Sequence, residues 1–310
     1  MRRSQGLTGR RRIGWVLIIS GRALVSSTIA AARGDNSGLA PRRVRRLVIA
    51  AALTTLLVVP INPAAARAKP SAPDRVYAGE TSQAEPAFVQ IGGTGTRTAT
   101  VVVAWRADCD DGTGALLWDG AKLTIRKNHF AFQRSEDASG PQITLSGAVG
   151  KTAVKGTWHA KVTFRNDQGN PTATCDTGLV RFSLPRAGYG GLTRGGDGYP
   201  LVLAFNKRKT KVDGVDVIAS LHCESGDSFA FHAAYGDFGL SRAGAFGDEF
   251  DDSADEIKAD PHPTFHISFH GKLGRSSAQG TLRITAVMKD AQGNQVDSCD
   301  SGPLTWSAGM

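Results

Sequence analysis

After residue 68 the apolar residues of this chain alternate with polar ones in short runs. In Trp158-His159-Ala160-Lys161-Val162-Thr163-Phe164 every second residue is apolar, and Leu282-Arg283-Ile284-Thr285-Ala286-Val287-Met288 keeps the same phase. A period of two sends successive side chains to opposite faces of an extended chain, so these segments predict strands with one face buried. Further strands are predicted over 98–105, 122–125, 129–132, 179–184, 201–205, 215–221 and 265–269, with Gly-Asn and Asp-Gly turn signals between many of them. No sustained i, i+3, i+4 apolar stripe follows residue 68, so the predicted fold class is all-β.

The pattern recurs along the chain. A shift of 124 residues lays 143–183 on 267–307 without a gap, and twelve of the 41 positions are identical. Gly147, Gly156, Gln168, Gly169, Asn170, Cys175, Asp176 and Gly178 fall on Gly271, Gly280, Gln292, Gly293, Asn294, Cys299, Asp300 and Gly302. At the front, Tyr77, Gly79 and Thr81 match Tyr189, Gly191 and Thr193, and Cys109 matches Cys223. The chain is therefore expected to fold as two tandem repeated β-sandwich, jelly-roll-like domains, 77–184 and 189–310, joined by a linker at 185–188. The second has extra residues between its cysteines, expected at the acidic stretch 248–256.

The N-terminal quarter is different. Arg42, Arg43, Arg45 and Arg46 precede the apolar run 47–59, followed by Pro60, Pro63 and the small-residue stretch 64–68. These are the parts of a secretory signal peptide, with cleavage expected after Ala66 or Ala68 and a short linker, 69–76, behind it. A membrane-spanning helix needs about 20 apolar residues, and the run stops short at Pro60. The forty-odd residues ahead of the leader suggest either translation from near Val44 or a genuine extension with a second weak apolar segment, 13–19 and 23–32 split by Arg22.

Charge follows the same division. The whole chain has 37 Lys+Arg, 28 Asp+Glu and a net charge of +9; residues 1–68 hold twelve arginines and one acid, Asp35, leaving 25 basic and 27 acidic residues after them. The basic excess belongs to the leader, and the mature chain is not expected to bind nucleic acid.

Four cysteines stand two to a repeat. Pairing Cys109 with Cys175 and Cys223 with Cys299 lets each repeat close its own bridge, as suits an exported chain. Asp176 and Asp300, each just after the second cysteine, are expected to close Asx turns.

Two stretches in the second repeat are candidates for chemistry. Asp248, Glu249, Asp251, Asp252, Asp255 and Glu256 could offer oxygens to Ca²⁺, which takes six to eight of them. The stretch lacks the D-x-[DN]-x-[DN]-G frame, and a like-charge run predicts a solvated insertion. His262, His266 and His270 recur every fourth residue; on a strand His266 and His270 face solvent, about 13 Å apart and too far to share one metal. No G-x-S-x-G, H-E-x-x-H or P-loop pattern occurs. Trp105, Trp158 and Trp306 sit at core phases, leaving Trp118 as the one candidate exposed platform for a sugar.

Through Tyr-x-Gly-x-Thr at each repeat start, the paired cysteines, and the closing Cys175-Asp176-Thr177-Gly178 and Cys299-Asp300-Ser301-Gly302, the chain resembles uncharacterised secreted actinobacterial proteins with tandem two-cysteine β-domains. The resemblance implies export and a β fold, with no catalytic residue to carry over. The expected function is a secreted, non-enzymatic binding or structural protein of the cell envelope or extracellular space, with an envelope glycan or protein as partner. The alternatives are an exported hydrolase or metal-dependent enzyme with its site in the second repeat, and a pair of carbohydrate-binding modules.

Overall fold

The structure is a computed structural model, described here for residues 75–310 except 93–96, 136–139, 167, 187, 196–197 and 254–261. The leader, most of the linker after it, and Asp255 and Glu256 lie outside the described residues.

Nineteen strands run through the described residues, with no helix among them. The first nine are β1 (Arg75–Glu80), β2 (Pro86–Gly92), β3 (Thr98–Cys109), β4 (Gly114–Thr124), β5 (His129–Arg134), β6 (Gln142–Val149), β7 (Ala153–Arg165), β8 (Pro171–Asp176) and β9 (Val180–Pro185). The rest are β10 (Tyr189–Arg194), β11 (Pro200–Phe205), β12 (Lys211–Cys223), β13 (Ser228–Tyr235), β14 (Phe238–Gly239), β15 (Ala245–Ser253), β16 (His262–Leu273), β17 (Ser277–Lys289), β18 (Gln295–Asp300) and β19 (Leu304–Gly309). Every strand pairing is antiparallel. β1–β9 make one sheet and β10–β19 the other.

The all-β class holds, and the sheets close more fully than two open layers would. In the second, β10, β11, β12, β18, β17 and β19 pair in a ring, a six-strand barrel. The first sheet runs β1, β2, β3, β8, β7, β9 in the same cyclic order, and the single bridge Thr81↔Phe182 joins its ends. Closure pairs the edges of the ring strands, while β4, β5, β13 and β15 end the sheets outside the rings.

Both rings share a weak seam. β3 meets β8 over only Asp108↔Asp176 and Cys109↔Cys175, and β12 meets β18 over His222↔Asp300 and Cys223↔Cys299. The disulfides Cys109–Cys175 and Cys223–Cys299 sit in those seams, directly across the strands. Covalent closure there secures a ladder of only two residue pairs in each barrel.

Each barrel has its own core. Trp105 and Trp158 are buried in the first and Trp306 in the second, as their phases predict. Glycine admits the large rings: a Cβ on Gly147 would lie 2.3 Å from Phe130 Cζ, and one on Gly156 2.4 Å from Phe182 Cζ. Gly271 and Gly280 stand in the same way against Phe246 and Trp306.

Five successive residues of β3, Val101–Trp105, are buried, as are Val215–Ala219 of β12. Burial on both faces is explained by what lies outside each barrel. Val76, Ala78, Phe88 and Val102 of the first pack with Val202 and Leu192 of the second, while Ala104 and Leu116 join the second barrel's core cluster. The two barrels thus pack on each other through the outer faces of β1–β4 and β10–β13.

Candidate functional site

The described part of the acidic stretch, expected as a solvated insertion, is a strand, with Asp248, Glu249 and Asp251 exposed to solvent. Residues 245–253 are β15, paired with β16 from Ala245↔Lys272 to Ser253↔Thr264. Alternation then brings Glu249 and Asp251 to the face that carries His266 and His270. His266 Nδ1 lies 2.8 Å from Asp251 Oδ1, and His270 Nε2 lies 3.1 Å from Glu249 Oε1. Hydrogen bonds from His270 and Ser268 hold the Glu249 carboxyl below the usual carboxylate range. All four side chains are about half or more exposed on an open sheet face, where such pairs contribute little. Asp248 and Asp252 stand on the opposite face of the strand by alternation.

Among the described residues the one group of three ligand atoms within mutual reach is Cys223, Asp297 and Cys299, and both its sulfurs are tied up in the disulfide. Asp176 and Asp300 accept backbone hydrogen bonds from Gly178 and Gly302 at 2.7 and 2.8 Å, closing the expected Asx turns. Trp118 is half-buried, its ring edge-on to Tyr199 with centroids 4.6 Å apart, so it is not an open platform.

The most unusual chemistry lies between the barrels, at residues the sequence does not single out. β1 and β2 are joined by a tight turn in which Thr81 N–H donates to Glu85 O at 2.9 Å and Glu85 N–H donates to Thr81 Oγ1 at 3.3 Å. Ala84 takes a left-handed φ of 58° to close it. Gln83 pins the turn to β3: Arg106 N–H donates to Gln83 Oε1 at 2.9 Å, and Gln83 Nε2 donates to Arg106 O at 2.8 Å. Glu85 is thereby held beside the Arg106 guanidinium, with which it forms an ion pair.

From the other barrel comes His232 on β13. Phe229, Phe231 and Ala233 fill that barrel's core, so alternation turns His232 outward, between the small residues Ala230 and Ala234. Its Nδ1 lies 3.2 Å from Glu85 Oε2, and its Nε2 pairs with Asp216 Oδ1 on β12. Glu85 is 0% exposed, His232 5% and Asp216 6%. Two carboxylates thus face an imidazole and a guanidinium across the interface, with Arg106 the part-exposed member.

Burial alone would push the His232 pKa down. The hydrogen bonds and charges of Asp216 and Glu85 overturn that and carry it up to about 10. Burial pushes the Asp216 carboxyl up, against the pull of His232. His232 thus ties β13 to Asp216 on β12 and to Glu85 in the β1–β2 turn of the other barrel.

A scan against protein-family models finds no match for the chain, and a search of curated proteins finds no relative. The sequence signals for the cluster are faint. Glu85 stands in a short turn, while Asp216 and His232 read as outward polar residues of one-sided strands. The unbroken run Val101-Val102-Val103-Ala104-Trp105 is the signal that could have pointed to a second covered face.

Proposed function

We propose that this protein is an exported, non-enzymatic binding or structural module of the cell envelope or extracellular space, built from a tandem β-domain repeat that acts as one rigid body. The observation that carries this reading is the Glu85–His232 contact. It joins two disulfide-bridged barrels through buried groups, and breaking such a pairing leaves an uncompensated buried charge. A rigid two-barrel body presents a surface already ordered for a partner, which lowers the entropic cost of binding. Two disulfides suit an oxidising compartment, and among the described residues no helix is long and apolar enough to cross a membrane.

Fractionation of the producing cells tests the address, and sedimentation with purified envelopes tests the binding. The expected result is an oxidised chain beginning after Ala66 or Ala68, found in the medium or envelope and binding envelopes saturably. A cytosolic chain with free thiols would contradict export. Unsaturable or absent sedimentation would contradict envelope binding.

A further inference from the structure

Each barrel carries an open groove on its outer face, about 540 Å³ in the first and about 530 Å³ in the second, over the glycines that admit the inner rings. Register lays the polar side chains there in rows. On the first barrel Ser146, Thr157 and Arg181 make one row, and Ala148, Lys155 and Ser183 the next. On the second, Thr281, Thr305 and Arg194 make one row, and Lys272, Gln279 and Ser307 the next. Their chain neighbours Val154, Phe182, Leu282, Leu304 and Trp306 are buried in the cores, so alternation turns the rows outward.

The two faces keep the same cations in exchanged positions. In the repeat, Ala148 and Lys155 correspond to Lys272 and Gln279, and each two are cross-strand partners, so both barrels hold one lysine in this pair but on opposite strands. Arginine does the same. Arg181, whose O accepts from Ser82 N–H at 2.7 Å, corresponds to Thr305, while Ser82 corresponds to Arg194, the cross-strand partner of Thr305. All four cations are exposed; Lys155, Lys272 and Arg194 line the grooves, and Arg181 stands beside the first through its partner Thr157. No described carboxylate lines either groove, and among the described residues none of the four is in an ion pair. His270, at the rim of the second groove, is engaged by Glu249 and is not counted with them.

We propose that these two faces bind an acidic glycan, a sugar chain bearing single carboxylates along its length. The lysines and arginines meet the carboxylates, while Ser146, Thr157, Thr281, Gln279 and Ser307 exchange hydrogen bonds with sugar hydroxyls. Lys155 and Arg181 are diagonal neighbours about 7–8 Å apart, but Lys272 and Arg194 stand three strands apart, about 15 Å, so a chain with repeated charges is needed to span them. A single-stranded nucleic acid also brings charge, but its bases need rings to stack on, and the rings beneath the grooves, Phe130 and Trp306, are buried. The proposal rests on the envelope reading above, whose partner it names.

The probe is fluorescently labelled polygalacturonate, titrated with the oxidised full chain in about 50 mM salt and followed by anisotropy, with neutral dextran and poly-glutamate as controls. Saturable binding of polygalacturonate is expected, with dextran inert and poly-glutamate, which has the charge without the hydroxyls, at least about tenfold weaker. Lys155→Gln with Arg181→Gln should weaken binding about tenfold, as should Lys272→Gln with Arg194→Gln, and all four changes together should abolish it. In a chain already lacking the first face's cations, Lys272→Gln should weaken binding and an added Gln279→Lys should restore it, because the lysine then sits where the first barrel carries its own. These changes touch only exposed side chains, so melting temperatures should stay at the native value. No saturable binding of polygalacturonate, equal affinity for poly-glutamate, undiminished binding by the fourfold variant, or no restoration by Gln279→Lys would overturn the proposal. A native chain that fails with polygalacturonate but sediments saturably with envelopes overturns this site and leaves the envelope reading standing, whereas absent sedimentation overturns the envelope reading itself.

Discussion

Glu85 and Tyr199 hold the same place in two corresponding hairpins. Thr193 N–H donates to Tyr199 O at 2.9 Å and Tyr199 N–H to Thr193 Oγ1 at 3.0 Å, the pair of bonds that Thr81 makes with Glu85. Each residue reaches into the other barrel. Glu85 meets His232, which stands opposite Ile218 on β12; Tyr199 meets Trp118, which stands opposite Ala104 on β3. Ile218 and Ala104 each lie five residues before the first cysteine of their barrel. The contact is reciprocal, as between the halves of an isologous dimer, but one half is ionic and the other aromatic.

This asymmetry makes Glu85 the residue whose loss should cost most. Glu85→Ala removes the carboxylate from a buried imidazolium and a guanidinium, and unfolding in guanidinium should show a loss of about 3–5 kcal/mol. An unchanged midpoint would mean that the cluster adds nothing to the fold.

The pH dependence has a definite sign. His232 has a folded pKa raised from 6.5 to about 10, so the folded chain holds its proton where the unfolded chain does not. Its contribution to stability is full below 6.5, declines above that and is lost as pH passes 10. Asp216, also raised, acts in the same direction from a lower pH. Melting temperatures measured from pH 6 to 11 should therefore fall more steeply for the native chain than for His232→Gln. Parallel curves would exclude the shift.

The disulfides should matter most at their seams. Replacing Cys109 and Cys175 by alanine releases a bridge of separation 66, worth about 4 kcal/mol by loop-closure entropy. Amide exchange should accelerate first at residues 108–110 and 174–176, where β3 and β8 share just two residue pairs. Uniform acceleration across the first barrel would show that the seam is not its weak point.

Gly147 is set by the ring it faces. Gly147→Ala should cost about 1–3 kcal/mol, and Phe130→Leu in the same chain should restore much of it, since the nearest clash is with Phe130 Cζ. Additive losses in a double-mutant cycle would place the strain in the backbone instead.

The parts of the fold legible in the sequence were those ruled by local rules. The period of two in 158–164 and 282–288 gave strands β7 and β17, and the cysteine spacing gave both bridges. Asp176 and Asp300 announced their turns. The solvation of the acidic stretch was legible in its charge, since Asp248, Glu249 and Asp251 are exposed, but its strand was not, because Asp251 and Glu249 find their partners only in His266 and His270 across β16. The interface cluster escaped for another reason. Glu85 is 147 residues from His232 in the chain, and only packing of one barrel on the other turns an outward polar residue into a buried partner. Composition cannot report such a meeting; it shows only that β3 and β12 are too apolar for strands with one wet face.

The central claim is that the two barrels form one body through Glu85 and His232. Scanning calorimetry of the oxidised full chain tests it most directly. One unfolding transition with equal calorimetric and van't Hoff enthalpies is predicted, moved to lower temperature by Glu85→Ala. Two resolved transitions in the native chain, one for each barrel and neither shifted by Glu85→Ala, would contradict it.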